Sequence, residues 1–232
     1  MNVLKRRTPP WLAMAAAVAV AMPAAAQTTI GASGGDTIQS WGKDNTQTYG
    51  QTITTPTDNI LNSFSFWLGP TSTNYTSPTN PSLNFRAYVY QWDASLGHAV
   101  GPSLYTSGIM THNATPTSPF AEYAFNTGGL TLTSGDMYAL FLSTSGLSGT
   151  GRIKWEAATS DEYAGGTFVF QNNGEDQSAW TNEAWAQGFA SDLHFSASFG
   201  NANNVVPEPR TWILLASGLV GLLFGPLRSR LG

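Results

Sequence analysis

The 232-residue chain carries a formal net charge of -4, yet six of its ten basic residues sit in the end segments. Between Gln27 and Val206 four Lys and Arg oppose thirteen Asp and Glu, a balance of -9, and a stretch that acidic repels phosphate backbones, which argues against nucleic acid as a partner. Cysteine is absent, which removes disulfides, thiolate metal sites and cysteine nucleophiles, while the 12% aromatic content argues for a folded domain over disorder.

Residues 1–26 have the three parts of a secretory signal: basic Lys5-Arg6-Arg7, an apolar stretch from Trp11 to Met22, and small Ala24-Ala25-Ala26. Cleavage is expected between Ala26 and Gln27, with the Sec machinery as the export partner. About 12 apolar residues rich in Ala fall well short of the ~30 Å hydrocarbon core, so a permanent anchor is the weaker alternative. The Arg6-Arg7 pair also matches part of a twin-arginine signal.

From residue 27 to 200 the sequence predicts one all-β domain. Leu83, Phe85, Ala87 and Val89 alternate with Asn84, Arg86, Tyr88 and Tyr90, which fixes a period of two. Comparable runs span 49–54, 60–68, 120–125, 137–142, 152–157, 167–171 and 193–199, separated by Gly, Pro, Asn, Asp and Ser clusters. Many short strands without a soluble helix predict an antiparallel β-sandwich. Residues 69–82 are predicted as a long exposed loop, and Gly34-Gly35, Gly128-Gly129 and Gly165-Gly166 as turns. The layout, with Leu130-Thr131-Leu132 followed by Gly135-Asp136-Met137-Tyr138-Ala139-Leu140, resembles carbohydrate-binding-module-like sandwiches. That resemblance implies a jelly-roll-like fold and a sugar ligand.

Candidate chemistry in this domain is aromatic. Tyr88, Tyr90 and Trp92 share the strand face opposite the aliphatic one, and Trp180 and Trp185 lie in a polar, loop-like stretch, so these five are the candidates for stacking on glycan rings. The carboxylate pairs Asp161-Glu162 and Glu175-Asp176 lack calcium-loop spacing; Ca²⁺ is at most a weak expectation there, and no cofactor or metal is predicted otherwise. Glu122, Glu156 and Glu183 are equally unmarked candidates for a glycosidase pair. His98, His112 and His194 have no metal-ligand spacing, and no nucleophile elbow or nucleotide-binding glycine loop is present. No catalytic residue is assigned, and the chain is read as a non-enzyme.

After a linker at 201–205 comes a tripartite tail, residues 206–232. Val206-Pro207-Glu208-Pro209 precedes an apolar run, 212–227, and then Arg228-Ser229-Arg230. Two prolines hold an extended approach, and the run reads as a short transmembrane helix with Arg228 and Arg230 on the cytoplasmic side. About 16 residues reach roughly 24 Å, less than an average bilayer core, and Gly218, Gly221, Gly225 and Pro226 weaken the helix further. This tail resembles the PEP-CTERM sorting signal of Gram-negative bacteria, with Arg210 and Ser229 as departures from its usual pattern. The resemblance implies that a membrane protease, an exosortase, recognises Pro207, Glu208 and Pro209 and removes the helix. The protein is then expected at the cell surface or in the extracellular matrix, in contact with exopolysaccharide. A carbohydrate-active hydrolase and a purely structural or adhesive matrix protein are the alternatives.

Overall fold

The computed structural model describes residues 27–43, 46–73, 78–188 and 190–201. Ala26, the sorting motif with Arg228 and Arg230, and the apolar run 212–227 lie outside the described residues. Among those described, no helix is long and apolar enough to cross a membrane.

The chain is all-β, with two antiparallel sheets packed as a sandwich. It opens with β1 (Thr28–Ala32) and β2 (Asp36–Gly42) in the first sheet, crosses to β3 (Thr48–Thr54) in the second, and returns as β4 (Ile60–Thr71). The second sheet then receives β5 (Ser82–Asp93), β6 (His98–Thr106) and β7 (Met110–Asn113); the first receives β8 (Ala121–Thr131). Next come β9 (Met137–Ser143) and β10 (Gly149–Thr150) in the second, β11 (Arg152–Ala157) in the first, and β12 (Phe168–Gln171) in the second. A single helical turn, α1 (Ala179–Asn182), precedes β13 (Ala186–Gln187), and β14 (Phe195–Gly200) closes the first sheet.

Long strands organise both sheets. β4 pairs β8 along one edge and β14 then β11 along the other, while β5 pairs β6 and β7 on one edge and β9 and β10 on the other. β3 lies between β9 and β12. The register places Thr28, Ile60, Thr131 and Gly200 at one end of the first sheet. Thr54 and Met137 stand at the corresponding end of the second, because the 55–59 connection is short and the Thr55 N–H donates to the Asp136 carbonyl at 2.9 Å. Entry and exit of the chain therefore share one pole, and the connections 144–149 and 172–177 lie at the other.

Alternation decides what is inside. Phe64, Phe66, Trp155, Phe195 and Phe199 from the first sheet meet Tyr49, Ile53, Phe85, Leu140 and Phe168 from the second, all buried. Trp155 contacts Trp41 at 5.1 Å and Tyr49 at 5.5 Å, edge to face, an arrangement that adds about 0.5–1.5 kcal/mol per pair beyond area burial.

Each predicted run contains a strand, with ends shifted by a few residues. β4 continues through Gly69 to Thr71, so the predicted loop begins later. Gly128-Gly129 does not turn the chain: both glycines adopt positive φ (73° and 85°) inside β8 and absorb a bulge opposite Leu61–Ser63. β1, β2, β6, β7, β10 and β13 are additional to the predicted runs. Their small, Gly-rich or short segments carry little alternation to detect.

Candidate functional site

Tyr88, Tyr90 and Trp92 do lie on the β5 face away from Leu83, Phe85, Ala87 and Val89, as a period of two requires. They do not line an open surface. The segment between β12 and β13, residues 172–185, crosses this outer face as a strap and presses two indoles onto it. Trp180 sits 4.8 Å from Tyr88 and 5.1 Å from Phe141 between ring centroids; Trp185 sits 5.2 Å from Phe141 and 5.6 Å from Trp92. The structure thus gathers all five sequence-derived aromatic candidates, but Tyr88, Trp180 and Trp185 are only 6%, 2% and 6% exposed. Tyr88 and Trp180 are closed off by one another and by Phe141, while Trp185, packed on Phe141 and Trp92, only borders the groove described below. Tyr90 and Trp92 remain half-buried. Burial raises the Tyr88 and Tyr90 phenol pKa values above 10.0, more than offsetting the Arg86 charge at Tyr88 and the Ser103 hydrogen bond at Tyr90, so both stay neutral.

Hydrogen bonds explain why a polar sequence makes a rigid strap. Trp180 Nε1 donates to Thr48 Oγ1 at 3.1 Å, Trp185 Nε1 to the Trp180 carbonyl at 2.9 Å, and Gln171 Nε2 to the Ala179 carbonyl at 2.8 Å. The Trp185 backbone N–H donates to the Gly97 carbonyl at 2.8 Å, tying the strap to the β5–β6 turn. At its start Glu175 accepts from Lys43 Nζ at 2.7 Å, from Gln47 Nε2 at 3.2 Å and, through its other oxygen, from the Gly146 N–H at 2.6 Å. Partial burial raises the Glu175 pKa, but those three hydrogen bonds with the Lys43 charge outweigh it and leave the carboxyl below its ordinary 4.5. Asp176 accepts from the Ser178 N–H and hydroxyl at 2.8 and 2.7 Å, and Glu162 from the Ser33 N–H and hydroxyl at 2.8 and 2.6 Å. Three of the four carboxylates considered for Ca²⁺ are thus engaged in holding loops, and no group of three or more ligating side chains occurs among the described residues.

Where the strap leaves Trp92 uncovered, a groove of about 340 Å³ opens at the pole that carries Thr28 and Gly200. Thr52 and Thr54 of β3 form its floor, Gly165 and Gly166 one wall, and Trp92 with the β5–β6 turn the other. Each part is held. A Cβ on Gly166 would stand 1.7 Å from the Thr52 carbonyl oxygen, so only glycine permits this approach. Asp93 Oδ1 accepts from the Ser95 N–H, the Ser95 hydroxyl and the Leu96 N–H at 2.8, 2.6 and 3.1 Å, fixing the turn.

Sequence reasoning missed the residue that secures the glycine wall. Asp192 is fully buried, accepting from Gln51 Nε2 at 2.8 Å and from the N–H groups of Glu162 and Tyr163 at 2.9 Å each. Gln51 Oε1 in turn accepts the Leu193 N–H at 2.9 Å, and the Tyr163 hydroxyl bridges to the Thr54 N–H and carbonyl at 3.2 and 3.1 Å. Nothing in the Ser-Asp-Leu-His neighbourhood distinguishes this carboxylate from a solvated one. A signal did exist for the roof itself: in β9, Tyr138, Leu140 and Leu142 face the core while Ala139 and Phe141 are equally apolar on the other side, the mark of a strand covered on both faces.

The remaining candidates separate. Glu156 lies on the first sheet's outer side, bonded at 2.8 Å to His194 Nδ1, whose ring stacks on Trp67 at 3.6 Å; Glu122 lies across from Trp67 on β8. Glu183 ends the helical turn on the far side of the second sheet. His112 is buried, its Nε2 within 2.9 Å of the Gly69 carbonyl and its Nδ1 within 2.9 Å of the Tyr123 hydroxyl. Burial lowers its pKa below 6.5 despite the Gly69 contact. None of these carboxylates or histidines lines the groove.

No known family and no curated protein matches the chain. Among solved structures it is similar to the infectious bursal virus derived T=1 particle, at 15% identity and TM-score 0.33, covering 85% of this chain and 48% of that one. It is also similar to the infectious bursal disease virus Gt strain, at 16% identity and TM-score 0.32, covering 86% and 50%. The chain spans about half the length of each, and at these TM-scores the likeness carries no argument.

Proposed function

We propose that the chain is an exported cell-surface or matrix protein. In this reading a Sec signal is removed after Ala26, an exosortase-type protease removes the PEP-CTERM-like tail, and a jelly-roll-like sandwich of the carbohydrate-binding-module type contacts extracellular polysaccharide without catalysing a reaction. The observation that carries it is the order of three unlike parts in one tail: Pro207-Glu208-Pro209, the apolar run 212–227, and Arg228 with Arg230. Supporting it, β1 begins at Thr28 and β14 ends at Gly200, so neither excision touches a strand. With Thr28 and Gly200 at one pole, the sandwich would stand on that pole while tethered. The short run suits transient insertion better than lasting anchorage.

Intact-mass measurement after expression in an exosortase-positive host tests this. The exported protein is expected to have lost residues 212–227, and Glu208→Ala is expected to retain them. Export with the run still present in the unaltered chain would instead make the tail an ordinary anchor.

A further inference from the structure

We infer that the groove beside Trp92 is the subsite that takes one uncharged pyranose unit of a neutral polysaccharide, a specification that rests on the polysaccharide-contact reading above. Four observations lead to it. At about 340 Å³ the groove lies at the small end of ligand pockets, enough for a sugar ring and too little for a folded peptide.

Among the described residues none of its lining side chains is charged, although the surrounding domain has thirteen carboxylates between Gln27 and Val206. An anionic polymer would find no cation to pair with and an acidic surface around it; a cationic one would find no carboxylate inside. Neutral hydroxyls are what remains.

Polar capacity in the groove matches hydroxyl chemistry. Thr54 Oγ1 donates to the Gly165 carbonyl at 2.7 Å, so both its lone pairs stay available as acceptors. Thr52 is 1% exposed and its Oγ1 is engaged, donating to the Thr167 carbonyl at 3.2 Å and accepting the Thr167 N–H at 2.8 Å, so it supports the floor and leaves Thr54 as the open acceptor. The Gln187 amide, exposed at the rim, offers both donor and acceptor. The Thr54 acceptor beside the Gln187 amide receives sugar hydroxyls as donors.

The platform is Trp92. It meets Trp185 edge to face at 5.6 Å and 89°, a contact that locks its orientation while it remains half-buried. The C–H face of a pyranose packs on a flat ring of this kind. Because Trp185, the Asp93 turn and Gly166 already fix the walls, binding orders little that was free.

The test is affinity electrophoresis of the full-length chain in detergent, through gels containing dextran, galactomannan, hydroxyethylcellulose or alginate. Retardation is expected in at least one of the three neutral polymers and not in alginate. Trp92→Ala, which removes the platform, and Ala94→Trp, which fills the groove from an exposed turn position, are each expected to weaken it at least tenfold. Unchanged circular dichroism and melting temperature of Ala94→Trp would show that the fold is intact. Retardation that survives both variants overturns the groove assignment and leaves polysaccharide contact standing. Retardation in alginate alone overturns the neutral-sugar subsite and likewise leaves contact standing, and no retardation in any of the four polymers overturns both. Equal retardation in alginate overturns the uncharged specificity.

Discussion

The two faces of the second sheet carry similar aromatic loads but are covered in different ways. On the inner face, strands of the other sheet supply Phe66, Trp155 and Phe195, and the cover is as regular as the sheet beneath it. On the outer face a strap with one helical turn supplies Trp180 and Trp185, and the cover is held by side-chain hydrogen bonds to Thr48 and to the strap's own backbone. An apolar layer built from strands is as stable as the whole sandwich. One built from a loop is stable only while its pins hold, and it stops where the pins stop, which is why a groove opens beside Trp92.

The largest effect is expected at the inner layer. Trp155→Ala empties the center of an edge-to-face ring cluster and should cost about 3–5 kcal/mol, lowering the midpoint of a single cooperative urea transition. Asp192→Ala comes next, because it orphans one side-chain and two backbone donors in a buried site. About 3 kcal/mol is expected, with residues 161–166 becoming a site of limited proteolysis.

Trp180→Ala sharpens the contrast between the layers. Its global cost should lie near the low end of the Trp range, about 3 kcal/mol. Its distinctive outcome is cleavage within residues 172–185 while the sandwich stays folded; loss of the whole fold at once would merge the two layers into one cooperative unit.

The smallest effect is electrostatic. Because the Glu175 pKa is lowered in the folded protein, its contribution is fully present above the ordinary carboxylate value near 4.5 and fades as pH falls through the lowered one. With Glu175 side chain 59% exposed, solvent screening keeps the Lys43 pair to about 1 kcal/mol or less. Lys43→Met should therefore speed strap proteolysis modestly above about pH 4.5, where the pair is fully formed, and the difference from the unaltered chain should vanish as pH falls and Glu175 takes up its proton.

What the sequence reveals about this molecule follows the same division. β5 and β11 were legible because one face of each is aliphatic or aromatic and the other polar, so the period of two shows directly. β14 was legible for the same reason. β6, with Gly101 and Pro102 inside it, carries no such pattern, and the bulged Gly128-Gly129 in β8 imitates a turn. The shared face of Tyr88, Tyr90 and Trp92 was legible from the period of two, whereas the sequence placed Trp180 and Trp185 only in a loop-like stretch and not on that face. Their burial was not legible, because a strap folds back through pins that are single hydroxyls and carbonyls, and such partners have no sequence signature. Gln51 and Asp192 show the limit most plainly: 141 residues apart, they look like ordinary polar residues until the fold brings them together.

Hydrogen exchange at the strap amides tests the central claim, that the outer face is roofed by a second packed layer that leaves the Trp92 groove open. Trp185, whose N–H donates to Gly97, and Glu183, whose N–H donates to Ala179, are expected to exchange at least about a hundredfold more slowly than an unstructured chain. Exchange at the unstructured rate in the intact protein would contradict the account, leaving Tyr88, Trp180 and Trp185 as parts of an open aromatic face.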